Sequence, residues 1–202
     1  MPKPKPSKKV IQQHLLWPTP YWYTQIWEFM RSETRVTFND DFIGYILNEA
    51  EKKESTIKSN RGGWQSEIVK HNDENYKPLV DEIVEFVRHL NLPIKKFEIK
   101  QLWANVNRKN DYNIVHQHGN YDLSGTYYVK VPKNSGRLMF RDPRPGAISN
   151  SFMSKNFDKG ELHGVNILEG MLVMWPAYLD HLVEPNKTDD ERISISFDIN
   201  VI

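Results

Sequence analysis

His116, His118, His181 and Arg192 are the residues of this chain whose types and spacing could do chemistry together. The segment Tyr112-Asn113-Ile114-Val115-His116-Gln117-His118 sets two imidazoles two residues apart, and period-two alternation places both on one face of a predicted strand. His181 comes much later, so only the fold can bring it to the pair. Three neutral imidazoles on rigid strands occupy one face of an octahedral Fe(II) and leave three positions for substrates, which a closed structural site does not. Arg192 opens the run Arg192-Ile193-Ser194-Ile195-Ser196-Phe197-Asp198-Ile199. Ile193, Ile195, Phe197 and Ile199 share one face, while Arg192, Ser194, Ser196 and Asp198 share the other. A guanidinium there could match the far carboxylate of a metal-bound diacid bidentately, with the Ser194 hydroxyl beside it. The plainer reading makes these polar residues the solvated face of an edge strand. His14, His71, His89 and His163 lack any comparable setting.

These residues need a rigid frame, and the second half of the chain predicts one. From Pro93 onward β-branched and aromatic alternation replaces helical periodicity, with strands near 96–107, 112–118, 123–131, 137–140, 163–168, 171–175, 181–184 and 192–201. Before them, Phe42, Ile43, Ile46, Leu47 and Ala50 recur at helical spacing over about 40–54 behind a possible Asn39 cap. Val80, Ile83, Val84, Val87 and Leu90 form a stripe over about 78–91, with Pro78 near its start. Lys58 to Ser66 reads as a loop, and the proline-punctuated Leu15 to Tyr23 as an extended segment laid across the body. The predicted class is mainly β with flanking α: a double-stranded β-helix of jelly-roll or cupin-like form, braced by N-terminal helices. Residues 1–9 alternate Lys and Pro and are expected to be a disordered basic tail. One domain should span 10–202, with helical support over about 40–92 and the β-helix core over about 93–202.

Composition narrows the chemistry. The 202 residues contain no cysteine, so thiolate sites are excluded and His, Asp and Glu are the strong ligands left. Lys and Arg number 27 against 26 Asp and Glu, which argues against a nucleic-acid partner that draws on clustered positive charge. No apolar run spans a bilayer and the N-terminus lacks an apolar signal core, so a soluble cytoplasmic protein is expected, without a membrane partner. Sheet edges and the aromatic N-terminal segment make a homodimer reasonable.

Several segments carry a family resemblance: Trp103-Ala104-Asn105-Val106-Asn107, His116-Gln117-His118, Leu123-Ser124-Gly125-Thr126-Tyr127-Tyr128-Val129, Gly136-Arg137-Leu138-Met139-Phe140-Arg141-Asp142-Pro143-Arg144, Gly170-Met171-Leu172-Val173-Met174-Trp175-Pro176, and His181-Leu182-Val183-Glu184-Pro185 with Arg192-Ile193-Ser194. In order and spacing, over about residues 95 to 202, they resemble the 2-oxoglutarate and Fe(II)-dependent oxygenase superfamily, closest to a bacterial and phage group with a His-x-His, His, Arg pattern. The resemblance implies a double-stranded β-helix, iron bound by the early motif and His181, and 2-oxoglutarate anchored by Arg192. It also implies cosubstrate contacts from Asn105 and Tyr128, and a dioxygenase that uses dioxygen to hydroxylate an unidentified substrate while releasing succinate and carbon dioxide. The superfamily's usual early motif is His-x-Asp, and here the carboxylate is missing. Either His118 completes an all-histidine set or Asp122 swings in as the acid. Strand geometry favours His118, which would leave Asp122 behind the ligands to accept an imidazole N–H.

Other features and readings stand beside this one. Arg141 to Gly146 followed by Ala147 to Gly160 could be a substrate lid or a plain surface excursion. Trp175 could wall the pocket, and Trp64 could reach over it from the helical half. A non-catalytic jelly-roll module, carbohydrate-binding or virion-associated, would use the histidines for a structural metal or for none. A cupin-type metalloenzyme would use an all-histidine site without 2-oxoglutarate.

Overall fold

The computed structural model describes residues 18–26, 32–90, 92–144 and 162–202. The basic tail and nearly all of the lid candidate after Arg144 lie outside these residues. Among the described residues two helices, α1 (Ser32–Lys52) and α2 (Lys77–His89), accompany eleven strands. These are β1 (Trp22–Gln25), β2 (Asn60–Arg61), β3 (Trp64–Gln65), β4 (Phe97–Asn107), β5 (Tyr112–His116), β6 (Leu123–Lys130), β7 (Leu138–Arg141), β8 (Leu162–Val165), β9 (Met171–Pro176), β10 (His181–Val183) and β11 (Arg192–Val201). The major sheet runs β1-β9-β6-β11-β4-β3 and the minor sheet β2-β5-β10-β7-β8. All the pairings are antiparallel, as in the predicted jelly roll.

The major sheet lays one apolar face on the helices and gathers its polar residues on the other, beside an apolar strip from Met171, Val173 and Trp175 of β9, and β11 shows why. Ile193, Ile195, Phe197 and Ile199 are fully buried in a core shared with Phe38, Phe42 and Ile46 of α1 and Leu79, Ile83 and Val87 of α2. Each helix contributes a stripe at i, i+4 and i+8, the spacing that lays one helical face on a sheet. Burying a side chain such as Phe197 contributes roughly 1.5–3 kcal/mol. Gly125, opposite Phe197 in the register, makes room for that ring: a Cβ there would lie 2.2 Å from Phe197 Cζ and 2.8 Å from the Val173 carbonyl. The core thus pins β11 in register, and a one-residue slip would turn Arg192 towards the helices.

Several expectations are corrected. Helix α1 begins eight residues before the predicted Asp40, and Asn39 is an interior residue rather than a cap. Its Nδ2 donates to the Val129 carbonyl at 2.7 Å and its Oδ1 accepts from the Tyr127 hydroxyl at 2.6 Å, which satisfies a polar group 3 % exposed beneath the sheet. Lys58–Ser66 is more than a plain loop: it carries the short strands β2 and β3, which join different sheets on either side of Gly62 and Gly63 at φ 66° and 65°. Trp64 does not reach over the site. It is buried in the helical core and its indole N–H donates to the Lys53 carbonyl at 2.9 Å.

Candidate metal centre and cosubstrate pocket

β5 and β10 are neighbours in the minor sheet, with His116 directly opposite His181. Their ring centroids lie 4.2 Å apart, and the His118 ring is 5.2 Å from each. One ligand nitrogen from each of the three lies within 4.8 Å of the others. The strand containing His116 ends at that residue, so His118 is not its strand neighbour as predicted. It sits in the following turn, where its N–H donates to the Ala177 carbonyl at 2.9 Å and its carbonyl accepts from the Tyr121 N–H at 3.0 Å.

Hydrogen bonds fix the tautomer of all three rings. His116 Nδ1 faces the Ile114 carbonyl at 2.8 Å, His181 Nδ1 the Leu179 carbonyl at 2.9 Å, and His118 Nδ1 an Asp198 carboxylate oxygen at 2.8 Å. Each partner is an acceptor, so each Nδ1 carries the proton and each Nε2 keeps a lone pair. Three such lone pairs suit Fe(II). Burial is the main cause pushing His116 below the ordinary histidine range and His181 well below it, so both rings are neutral and ready to ligate at pH 7.

That depression has a measurable consequence. Between about pH 6.5, the ordinary histidine value, and the depressed folded values, the unfolded chain binds protons that the folded chain cannot. Stability is therefore full above about pH 6.5 and falls as the pH drops below it. Urea midpoints of the metal-free protein should decline from about pH 6.5 to 5, and the decline should shrink in His181→Gln. A flat profile in the parent chain would contradict neutral burial of these rings.

The three histidines share a cavity of about 490 Å³ with Arg192, Ser194, Asn105 and Tyr128. Arg192 is 1 % exposed. Its Nη1 donates to the Ser135 and Glu184 carbonyls, while Nη2 is buried without a partner among the described residues. Gly136, at φ 88°, lets the chain approach this closely, since a Cβ there would fall 2.3 Å from the Glu184 oxygen and 3.0 Å from Arg192 Nη1. Glu184 does not neutralise the guanidinium: its carboxylate is forked onto Arg137 at 2.9 Å by each arm. Burial lowers the pKa of Arg192 and raises that of Tyr128, so the arginine is held as a desolvated cation beside a phenol that stays protonated. The Trp175 indole N–H is also buried without a partner among the described residues, but it lies level with Ser124 and Asp198, six strand positions from Arg192. A buried guanidinium nitrogen lacking an acceptor fits an anionic ligand that brings oxygens of its own. Ser194 and Asn105 pair across β11 and β4, and Asn105 Nδ2 reaches the Ser196 hydroxyl at 3.3 Å.

Asp122 is placed elsewhere. Its Oδ2 accepts from the Val201 N–H at 2.7 Å, tying down the end of β11, and it is outside the histidine cluster. The carboxylate behind the ligands is Asp198, with Ser124 donating to the same oxygen at 2.6 Å. Trp103 stacks on the His118 ring at 5.7 Å and 18°. Sequence reasoning missed Asp198, Ser124 and Trp103 as site residues. For Asp198 the available signal was its place on the polar face of β11, in phase with Arg192.

Residues 101–198 match a family described as "Putative 2OG-Fe(II) oxygenase". No curated protein sequence matches the chain. Among solved structures, a prolyl-4-hydroxylase from Pseudomonas putida is 14% identical, with 91% of this chain and 94% of that one covered and a TM-score of 0.63. HygX from Streptomyces hygroscopicus, solved with nickel, 2-oxoglutarate and hygromycin B, is 12% identical over 91% and 83% at a TM-score of 0.61. The epimerase SnoN from nogalamycin biosynthesis is 11% identical over 91% and 77% at 0.64. At these identities the solved structures speak to the fold, and the family match speaks to the chemistry. Over residues 101–198, just under half of its length, the chain matches the 2-oxoglutarate- and Fe(II)-dependent oxygenases, and the three-histidine cluster that could hold a metal ion lies inside the matched segment.

Proposed function

We propose that this oxygenase hydroxylates its prime substrate, with His116, His118 and His181 as the iron ligands and Arg192 and Ser194 as the anchor for the distal carboxylate of 2-oxoglutarate. The observation that carries this reading is the buried, half-satisfied guanidinium of Arg192, which opens onto the same cavity as the three free Nε2 lone pairs. His181 lies three residues before Glu184, whose carbonyl Arg192 contacts, and three strand residues span about 10 Å. A small diacid chelated beside the imidazoles fills that interval. Tyr128 and Asn105 border it, the phenol as a donor and the carboxamide as donor or acceptor.

Bound Fe(II) supplies the redox chemistry, in which oxidative decarboxylation of 2-oxoglutarate to succinate and carbon dioxide is coupled to oxidation of a C–H bond. The chain's own work is to bind, orient and exclude water. Beyond the ligands, Arg192 and the Asp198 carboxylate, which is taken up by His118 and Ser124, the cavity wall is dominated by uncharged groups, Gln65, Gln101, Asn107, Asn113 and Gln117 among them, with Lys58 also lining it. None is a general base poised by a neighbour, and hydroxylation needs none. HygX and the prolyl-4-hydroxylase show how different the substrates on this fold can be, so the prime substrate is to be found by assay. Anaerobic addition of Fe(II) and then 2-oxoglutarate should produce a weak visible charge-transfer band. Stoichiometric iron without that band would reject the cosubstrate role and favour a metalloenzyme that does not use 2-oxoglutarate.

A further inference from the structure

The early motif lacks the acid that would bring a negative charge into the ligand set, and a buried acid stands directly behind the residue that took its place. Asp198 is 1 % exposed, and one of its carboxylate oxygens receives both His118 Nδ1 at 2.8 Å and the Ser124 hydroxyl at 2.6 Å. Neither donor is a permanent cation. A buried carboxylate is costly unless a positive charge is supplied nearby. A divalent ion on the far nitrogen of His118 supplies it.

We infer that Asp198 is a positioning residue that returns to the iron, through His118, the negative charge missing from the ligand set. This rests on His118 being a ligand, as proposed above. Three neutral imidazoles leave a divalent centre with its full charge, whereas an imidazole that shares its proton with a carboxylate is a stronger donor and brings one unit of negative charge close by. The surroundings hold that arrangement in one geometry. Ser124 on β6 fixes the carboxylate, Trp103 on β4 stacks on one face of the His118 ring, and the backbone N–H of His118 is tied to Ala177. Asp198 also lies on the same face of β11 as Arg192, six residues on, so one strand carries both the cosubstrate anchor and the group that tunes the metal.

Asp198→Asn tests the charge apart from the shape, since the amide oxygen can still accept from Nδ1. Fe(II) affinity, measured anaerobically by competition with a chromophoric chelator, should fall roughly 10–100-fold, the usual effect of removing an outer partner of a metal-bound imidazole. The charge-transfer band of the Fe(II)–2-oxoglutarate complex should move to higher energy, because a less electron-rich iron gives up an electron less readily. A purely structural role would leave the band energy alone. Wild-type affinity together with an unmoved band would overturn the inference. Co(II) affinity is measured in parallel, so that absence of the band even in the parent chain rejects the 2-oxoglutarate reading while the metal affinities still decide the role of Asp198. Should Asp198→Asn not fold, His118→Asp restores a carboxylate to the ligand set and makes the outer one redundant. The single variant His118→Asp should then bind Fe(II) at least as tightly as the parent, and tenfold weaker binding would overturn the inference.

Discussion

Arg192→Met should abolish useful binding of 2-oxoglutarate while leaving Fe(II) in place. Truncating one partner of a buried, hydrogen-bonded charge pair costs about 3 kcal/mol or more, on the order of a hundredfold in Kd. The guanidinium is almost wholly buried and its Nη2 is unpaired, so the ligand carboxylate would meet an already desolvated donor with little competition from water. Two effects oppose each other in the ligand-free protein. Removing an uncompensated buried cation is favourable, whereas the Ser135 and Glu184 carbonyls lose their donor, at about 1–3 kcal/mol for each acceptor left dry. These nearly cancel, so the variant should unfold within about 2 kcal/mol of the parent and remain measurable. Titration of the charge-transfer band against 2-oxoglutarate gives the affinity, and metal analysis gives the iron content. Unchanged cosubstrate affinity would remove Arg192 from its proposed role, and simultaneous loss of iron would show that it acts on the metal site instead.

The apolar half of this design is legible residue by residue in the sequence, and the polar half only in part. Alternation along 192–199 assigns the faces of β11 because one face must be buried and the period of a strand is two. The same periodicity marks β4, β6 and β9. It fails where a polar side chain is satisfied by something distant. Asn39 reads as a helix boundary because its partners, Tyr127 and the Val129 carbonyl, are some ninety positions away. Two-residue strands such as β2 and β3 carry no period at all, so the segment that holds them looks like a loop.

The same limit governs the site. His116 and His118 meet as expected, but by a different route. The strand stops at His116, and a turn held by the Ala177 carbonyl brings the His118 ring to 5.2 Å from that of His116. Asp122 looked like the reserve carboxylate because it is near in sequence, whereas Asp198 holds that place because β11 and β6 bring it there. Proximity along the chain was the wrong measure for a long-range pair. A polar face in phase with Arg192 was the better guide, since every member of it lines the cavity.

The other large effect is expected at His181. It is 4 % exposed, packed against Trp175 with ring centroids 4.8 Å apart, and its Nδ1 proton is held by a backbone carbonyl that no substitution removes. His181→Ala therefore deletes an Nε2 lone pair that the fold had preorganised, with no neighbouring carboxylate or imidazole able to replace it among the described residues. Iron affinity should fall by more than the roughly 10–100-fold that loss of an outer partner costs. Thermal unfolding offers a readout independent of turnover. A metal present at a hundredfold excess over its Kd stabilises the folded chain by about 2.7 kcal/mol, roughly 5–10 °C for a chain of this size. The parent protein should show that upward shift with Fe(II) under anaerobic conditions, or with Co(II), and His181→Ala should show almost none, whatever its own baseline. A metal-induced shift in the variant as large as the parent's would place the ion away from the paired strands β5 and β10, because only there does His181 stand opposite His116.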